Sequence, residues 1–177
     1  MRTTLRLLAA LLTLTVLATT GGAHASTKEV EDPDDALGKL DVAVAVAGHD
    51  GALLTHTLRM QENWSSKVLK AGTATLFFRI GDRDRTLNLD YRNGVLVGEI
   101  CTEADDSSFS QCSRNVALDR TNRRSIEVTL PRRLLKRGLS SYSWSVVTLL
   151  NQGESGCTEI VCVDSVPDDQ SFVKHRL

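Results

Sequence analysis

The sequence has few of the residues on which many active sites depend. Only 5 % of its 177 residues are aromatic, and four are histidine. It contains neither a GxSxG nucleophile elbow nor an HExxH zinc motif, which excludes the most recognisable esterase and metalloprotease patterns. His56 falls inside an alternating segment, where a core histidine with a satisfied hydrogen bond is expected, and His49 falls in a turn. We therefore expect a protein that is not an enzyme.

Long hydrophobic runs are also missing, apart from one near the N-terminus. The run from Leu7 to Ala18 follows Arg2 and Arg6, and it ends before Ala23-His24-Ala25. A basic start, a short apolar run and a small-x-small site are typical of a secretory signal peptide. We expect residues 1–25 to be removed and the product to be secreted, with no membrane attachment afterwards; the alternative is a retained N-terminal anchor. The Ala- and Leu-rich leader suggests a bacterial source.

A large excess of positive charge is absent too. The formal net charge is -1 for the whole chain, and residues 1–25 carry two arginines and no acidic residue. The formal charge of residues 26–177 is therefore -3. This balance argues against nucleic acid as the main partner. A glycan or an extracellular protein is the expected partner, and we expect a monomer.

Cysteines are few, and all four lie after the leader: Cys101, Cys112, Cys157 and Cys162. An even number in an exported chain predicts two disulfides, and three pairings are open. The sequential pairing is preferred, because each bond then closes a short local loop. Zinc is the competing interpretation, but neither pair has CxxC spacing and no histidine is near.

Alternation of apolar and polar residues is what the chain has in abundance. Leu87, Leu89 and Tyr91 share one face of a segment that ends at Asn93-Gly94, the strongest short hairpin signal. Similar segments recur at short spacing, and no run of ten residues has helical periodicity. We predict an all-β protein, a single antiparallel β-sandwich of jelly-roll-like kind over residues 37–177, after an acidic lead-in at 26–36. About eight strands are expected, at 40–47, 52–60, 73–80, 85–92, 95–102, 111–119, 125–130 and 142–150.

The acidic stretch Asp32-Pro33-Asp34-Asp35, with Asp41 shortly after it, is rich in carboxylate oxygens. Calcium takes six to eight oxygen ligands, and carboxylates close together on a loop supply them. Two interpretations are open: a structural calcium site, or a solvated acidic leader.

Asp34-Asp35-x-x-Gly-x-Leu-Asp-Val, at residues 34–42, is followed by alternating strands. This pattern resembles the opening of the family 9 carbohydrate-binding-module-like β-sandwiches, a superfamily that includes the DOMON-like domains. The resemblance implies a calcium held by the opening loop, with Asp34, Asp35 and Asp41 as ion ligands. It also implies a non-catalytic module that binds a cell-wall or other extracellular glycan.

Sugar binding usually needs an aromatic side chain on which the pyranose ring stacks. The candidates are Trp64 in a connection, and Tyr91 and Tyr142 on strands. Trp64 is expected to be exposed, and the equal alternative is that it covers one end of the sandwich. Trp144 shares a face with Val146, so it is expected in the core.

Positive charge is concentrated around one predicted strand, and its residues are Arg123, Arg124, Arg132, Arg133, Lys136 and Arg137. This patch is interpreted either as solvated turns at the strand's two ends or as a site for an anionic partner.

The segment between Cys101 and Cys112 supports an alternative function. A disulfide across residues 102–111 would restrict a serine-rich acidic loop that carries Phe109. Because a restricted loop loses less entropy on binding, the alternative is an extracellular protein-binding or protease-inhibitor-like domain.

Overall fold

The computed structural model describes residues 26–102, 111–113 and 116–177. The predicted signal peptide and most of the loop after Thr102 lie outside these ranges. Two antiparallel sheets pack against each other, which confirms the predicted all-β sandwich. Within the described ranges, no helix is both long enough and apolar enough to cross a membrane.

Sheet 1 has the strand order β1-β2-β3-β9-β8. Its strands are β1 (Thr27–Glu31), β2 (Val42–Asp50), β3 (Leu53–Met60), β8 (Ala117–Asp119) and β9 (Ser125–Pro131).

Sheet 2 has the order β11-β10-β4-β5-β6-β7, and β12 also pairs with β10. Its strands are β4 (Gly72–Ile80), β5 (Arg83–Arg92), β6 (Val95–Thr102), β7 (Cys112–Ser113), β10 (Ser141–Asn151), β11 (Val161–Val166) and β12 (Val173–Arg176). Two short 3₁₀ helices, Ser66–Lys70 and Arg132–Leu134, lie in the connections.

The β5–β6 hairpin forms at the predicted turn. Asn93 and Gly94 have φ angles of 51° and 86°, the left-handed values that a two-residue type I′ turn requires. Leu87 and Leu89 are buried, and Tyr91 on the same face is half-buried. Alternation in this segment therefore identified the strand and the face that it turns to the core.

Other expectations differ from the structure. The expected irregular lead-in contains strand β1, which pairs with β2 although its residues are mostly exposed. The single strand expected at 111–119 is two strands in different sheets, β7 and β8. Strands β11 and β12 were not predicted, and the described residues contain twelve strands rather than about eight.

The core lies between the sheets, and its largest fully buried side chains include Trp144, Phe78 and Leu54. Trp144 is therefore a core residue, as predicted. His56 is also fully buried, and its Nε2 lies 2.9 Å from the Tyr142 hydroxyl. The expectation of a hydrogen-bonded core histidine is confirmed at Nε2, whereas His56 Nδ1 is buried without a hydrogen-bond partner in the described ranges.

Both predicted disulfides are present. Cys101–Cys112 joins β6 to β7 with a Cα–Cα distance of 4.1 Å, and Cys157–Cys162 has a Cα–Cα distance of 5.7 Å. The sequential pairing is confirmed.

Candidate metal centre

Carboxylates from three parts of the chain meet at one end of the sandwich. Asp32 follows β1, and its backbone N–H bonds the carbonyl of Ala43 in β2. Asp41 immediately precedes β2, and its carbonyl accepts the backbone N–H of Gln61 just after β3. Asp164 comes from sheet 2, on the inward face of β11. The first two therefore belong to the connection between β1 and β2 of sheet 1, and the third approaches it from the opposite sheet.

Asp164 ties the two sheets together at this point. Its Oδ2 accepts a 2.7 Å hydrogen bond from the backbone N–H of Val42, the first residue of β2. Beside it, Thr148 Oγ1 donates to the Leu40 carbonyl at 2.7 Å. These two bonds hold the segment before β2 against β10 and β11.

Four carboxylates form the cluster itself. One oxygen each from Asp32, Asp35, Asp164 and Asp168 can be chosen so that all lie within 4.8 Å of one another. Asp32 and Asp164 are buried, whereas Asp35 and Asp168 are exposed. The cluster thus has a buried side inside the protein and a side that solvent can reach. Asp41 is not one of the four, but its charge interacts with that of Asp164, and we call the five residues together the carboxylate cluster.

Two oxygens of the cluster are buried without a hydrogen bond. Asp32 is 8 % exposed and Asp41 is 4 % exposed. No donor in the described ranges reaches Asp32 Oδ2 or Asp41 Oδ1. A buried carboxylate oxygen without a donor is costly and is rare in folded proteins. The donors in the described ranges leave both oxygens unsatisfied, and a bound cation is one partner that would satisfy them.

The pKa values of the carboxyl groups in the cluster also favour a bound cation. Burial, together with the charges of Asp164 and Asp168, raises the pKa of Asp32 to about 8. Burial and the neighbouring acids Asp164, Asp34 and Asp35 raise the pKa of Asp41 to about 7. Burial raises the pKa of Asp164 as well, although the bond from the Val42 amide opposes this. Like charges held this close disfavour ionisation, and a cation among them would reverse the effect.

The donor set and its spacing fit calcium. All ligands are carboxylate oxygens, the ligands that a hard cation prefers. Two oxygens on one calcium lie at most about 5 Å apart, twice the usual Ca–O distance of about 2.3–2.6 Å, so a spread of 4.8 Å fits. The shorter Mg–O distance of about 2.1 Å would require the cluster to contract.

No protein-family model, curated protein or solved structure matches the chain. The family 9 carbohydrate-binding-module-like resemblance therefore stays a prediction.

The predicted metal ligands are only part of the cluster. Asp35 belongs to the group of four, and Asp41 contributes one of the two buried oxygens without a donor. Asp34 is exposed and acts on Asp41 through its charge. Asp164 and Asp168 were missed, because only the pairing of β11 with β10 brings them to the segment before β2. The signal in the sequence that could have identified Asp164 is an aspartate at an inward-facing position of an alternating strand.

The aromatic side chains do not form the expected stacking surface. Trp64 is 6 % exposed rather than open: its indole N–H donates to the Arg124 carbonyl, and the Arg120 guanidinium lies 3.8 Å from its ring centroid. Tyr142 is 2 % exposed and bonded to His56 in the core. Tyr91 is half-buried, with the Lys70 ammonium 5.6 Å from its ring. The prediction that Trp64 is exposed is wrong, because Arg120 and the 123–124 backbone cover it.

The predicted basic patch divides into two. Arg123 and Arg124 lie beside Trp64 at the start of β9, where they line shallow surface hollows. Its other four residues lie beyond the end of β9 and line two adjoining cavities: Arg132, Arg133, Lys136 and Arg137. The structure therefore separates the six cations by the length of β9.

The disulfide-bracketed loop is described only at its ends. Thr102 N–H donates to the Gln111 carbonyl at 3.0 Å, next to the Cys101–Cys112 bond. Residues 103–110, Phe109 among them, lie outside the described ranges. The protein-binding role of this loop stays a prediction.

Proposed function

We propose that the protein is a secreted, non-catalytic binding module that holds a calcium ion in the carboxylate cluster. One observation carries the calcium assignment: Asp32 Oδ2 is buried within the group of four carboxylates without a hydrogen-bond donor in the described ranges. Calcium would supply the positive charge that this oxygen lacks. Two disulfides support export, since such bonds persist in oxidising compartments.

The ion would join the two sheets. Asp32 and Asp35 lie in the segment between β1 and β2, and Asp164 belongs to β11. A cation shared among them neutralises their repulsion and adds ionic contacts across the sandwich. Because the ion binds only the folded chain, it stabilises that state by about 2.7 kcal/mol when its concentration is 100 times the dissociation constant.

Calorimetric titration of the exported, oxidised protein with calcium chloride, after removal of metal with EDTA, tests the assignment. The informative variant is Asp35→Asn/Asp168→Asn, because both side chains are exposed and their loss leaves the core intact. The matched control is Asp50→Asn/Asp119→Asn, which removes two exposed carboxylates elsewhere.

We expect one calcium per chain and a higher melting temperature with calcium for the native protein and the control. The cluster variant should bind calcium at least about tenfold more weakly, and adding calcium should leave its melting temperature at the metal-free value. Equal calcium binding by the cluster variant and the control would contradict the proposal, as would no binding by the native protein.

A further inference from the structure

A basic groove lies at the opposite end of the sandwich from the carboxylate cluster. One cavity of about 520 Å³ is lined by Arg83 and Arg85 of β5 and by residues that follow β9. A second cavity of about 410 Å³ adjoins it and shares Arg133, Lys136 and Arg137 with the first. Each volume is in the range of about 300–1,000 Å³ that small-ligand sites occupy. We call the two cavities together the basic groove.

The local sequence explains why these cations face outward together. Pro131 ends β9, and the 3₁₀ turn Arg132–Leu134 follows. Leu135 is buried and anchors the turn in the core. Arg133, Lys136 and Arg137 are exposed around this anchor, and all three line both cavities.

The charge of the groove is unbalanced. The first cavity is lined by five cationic side chains and one acidic one, Asp82. In the described ranges, the salt bridges are formed elsewhere, by Lys39, Arg79 and Arg92. The charge of Arg83 acts on Arg85 within the groove, and an anionic ligand would relieve that repulsion.

Two arginines of the groove are held in place without a carboxylate. Arg85 Nε donates to the Leu135 carbonyl at 2.8 Å, and its Nη1 donates to Thr102 Oγ1. Arg132 donates to the carbonyls of Gly51 and Leu139 at 2.8 and 2.6 Å. Their charges are fixed by neutral partners, so each guanidinium keeps donors and charge for a ligand.

Apolar groups form the rest of the second cavity. Leu53 is 44 % exposed there, beside Ala52, Pro131 and Leu139. A ligand that carries oxyanions on a partly apolar ring matches cations next to such a surface. Aromatic side chains are absent from the residues lining the groove, so neither a nucleobase nor a pyranose ring can stack there, and ionic contacts have to carry recognition of the ligand.

We infer that the basic groove binds an acidic polysaccharide, with the arginines and Lys136 on its carboxylate or sulfate groups and its sugar rings against Leu53 and Pro131. The inference extends the proposed binding role and names its ligand class. Because the groove and the carboxylate cluster share no residue, the calcium proposal and the groove can fail independently.

Binding to polygalacturonate and to dextran sulfate, measured by calorimetry in EDTA, tests the inference. Neutral dextran, phosphatidylglycerol vesicles and duplex DNA are the comparison probes. The test variant is Arg133→Gln/Lys136→Gln/Arg137→Gln. The control, Lys28→Gln/Arg123→Gln/Arg176→Gln, removes the same charge from exposed positions outside the groove.

We expect the native protein to bind at least one acidic polysaccharide and not neutral dextran. The groove variant should bind it about tenfold or more weakly, and the control within about twofold of the native protein. Stronger binding to polygalacturonate would indicate recognition of carboxylates, and stronger binding to dextran sulfate would indicate recognition of sulfates. The inference is overturned if neither polymer binds, if both variants lose binding equally, or if vesicles or DNA bind the groove as tightly.

The Asp35→Asn/Asp168→Asn variant separates this inference from the calcium proposal. It should lose calcium binding and keep polysaccharide binding in EDTA, because its substitutions lie outside the groove. Loss of polysaccharide binding in this variant, with an unchanged melting temperature, would contradict a separate groove.

Discussion

His56 is an ionisable side chain that the fold removes from water entirely. Its ring lies 5.1 Å from that of Phe78 and 5.4 Å from that of Trp144, and its Nε2 bonds the Tyr142 hydroxyl. Burial, and then the nearby His175, lowers the pKa of His56 to about 3. The imidazole is therefore neutral in the folded state across ordinary pH, which suits packing rather than acid–base catalysis.

Because of this lowered pKa, the free energy of unfolding is expected to fall as the pH falls. In the unfolded chain a histidine binds a proton below about pH 6.5, whereas folded His56 binds one only near pH 3. Between these values the unfolded state holds more protons, so this residue makes stability fall as the pH falls. We expect the titration of His56 alone to lower the free energy of unfolding by about 3 kcal/mol at about pH 4 relative to pH 7.

Urea unfolding of the native protein and His56→Gln, from about pH 4 to 7 in EDTA, measures this contribution. Glutamine can still bond the Tyr142 hydroxyl, but it does not titrate. The stability difference between the two proteins should shrink as the pH falls. A difference that is constant with pH would show that His56 titrates alike in both states.

At the scale of elements, Asp164 links β11 to β2. Its Oδ2 accepts the Val42 N–H, and its charge adds to the repulsion within the carboxylate cluster. Asp164→Asn removes the charge but keeps an oxygen for the Val42 N–H, whereas Asp164→Ala removes both. The pair of variants therefore separates the hydrogen bond from the charge.

We expect Asp164→Ala to be less stable than Asp164→Asn by about 1–3 kcal/mol in EDTA, because it leaves the buried Val42 N–H without an acceptor. Urea unfolding measures the difference. Equal stability of the two variants would mean that the hydrogen bond to Val42 does not hold β2 against sheet 2.

Alternation predicted the long inner strands but not the edges. Leu87 and Leu89 show a clear period of two, and Asn93-Gly94 marks the turn, so β5 and β6 follow from local sequence. Strand β1 has mostly exposed residues, and only its pairing with β2 makes it a strand. β7 and β8 look continuous in sequence, yet they belong to different sheets, which no local pattern specifies.

As with the strands, the candidate site was predicted only where its residues are neighbours in the sequence. Asp35 and Asp41 come from one short acidic stretch, so neighbouring residues in the sequence suggested a metal site there. Asp164 lies 122 residues from Val42, the residue whose N–H it accepts, and only the packed sheets bring it close. Trp64 was misjudged for the same reason, because its cover comes from Arg120.

At the scale of the whole molecule, opposite charges occupy opposite ends of the sandwich. Strand β3 runs from Leu53, which lines the basic groove, to Met60, next to the Gln61 N–H that bonds Asp41. Seven residue steps in a strand span about 23 Å. A cation at one end and an acidic polymer at the other can therefore bind without competing for the same side chains.

Anomalous X-ray scattering from crystals grown with calcium chloride tests whether the carboxylate cluster holds calcium. We expect one anomalous peak per chain, within about 2.3–2.6 Å of oxygens from Asp32, Asp35 and Asp164. Refined maps that show no ion among these carboxylates would contradict the calcium proposal.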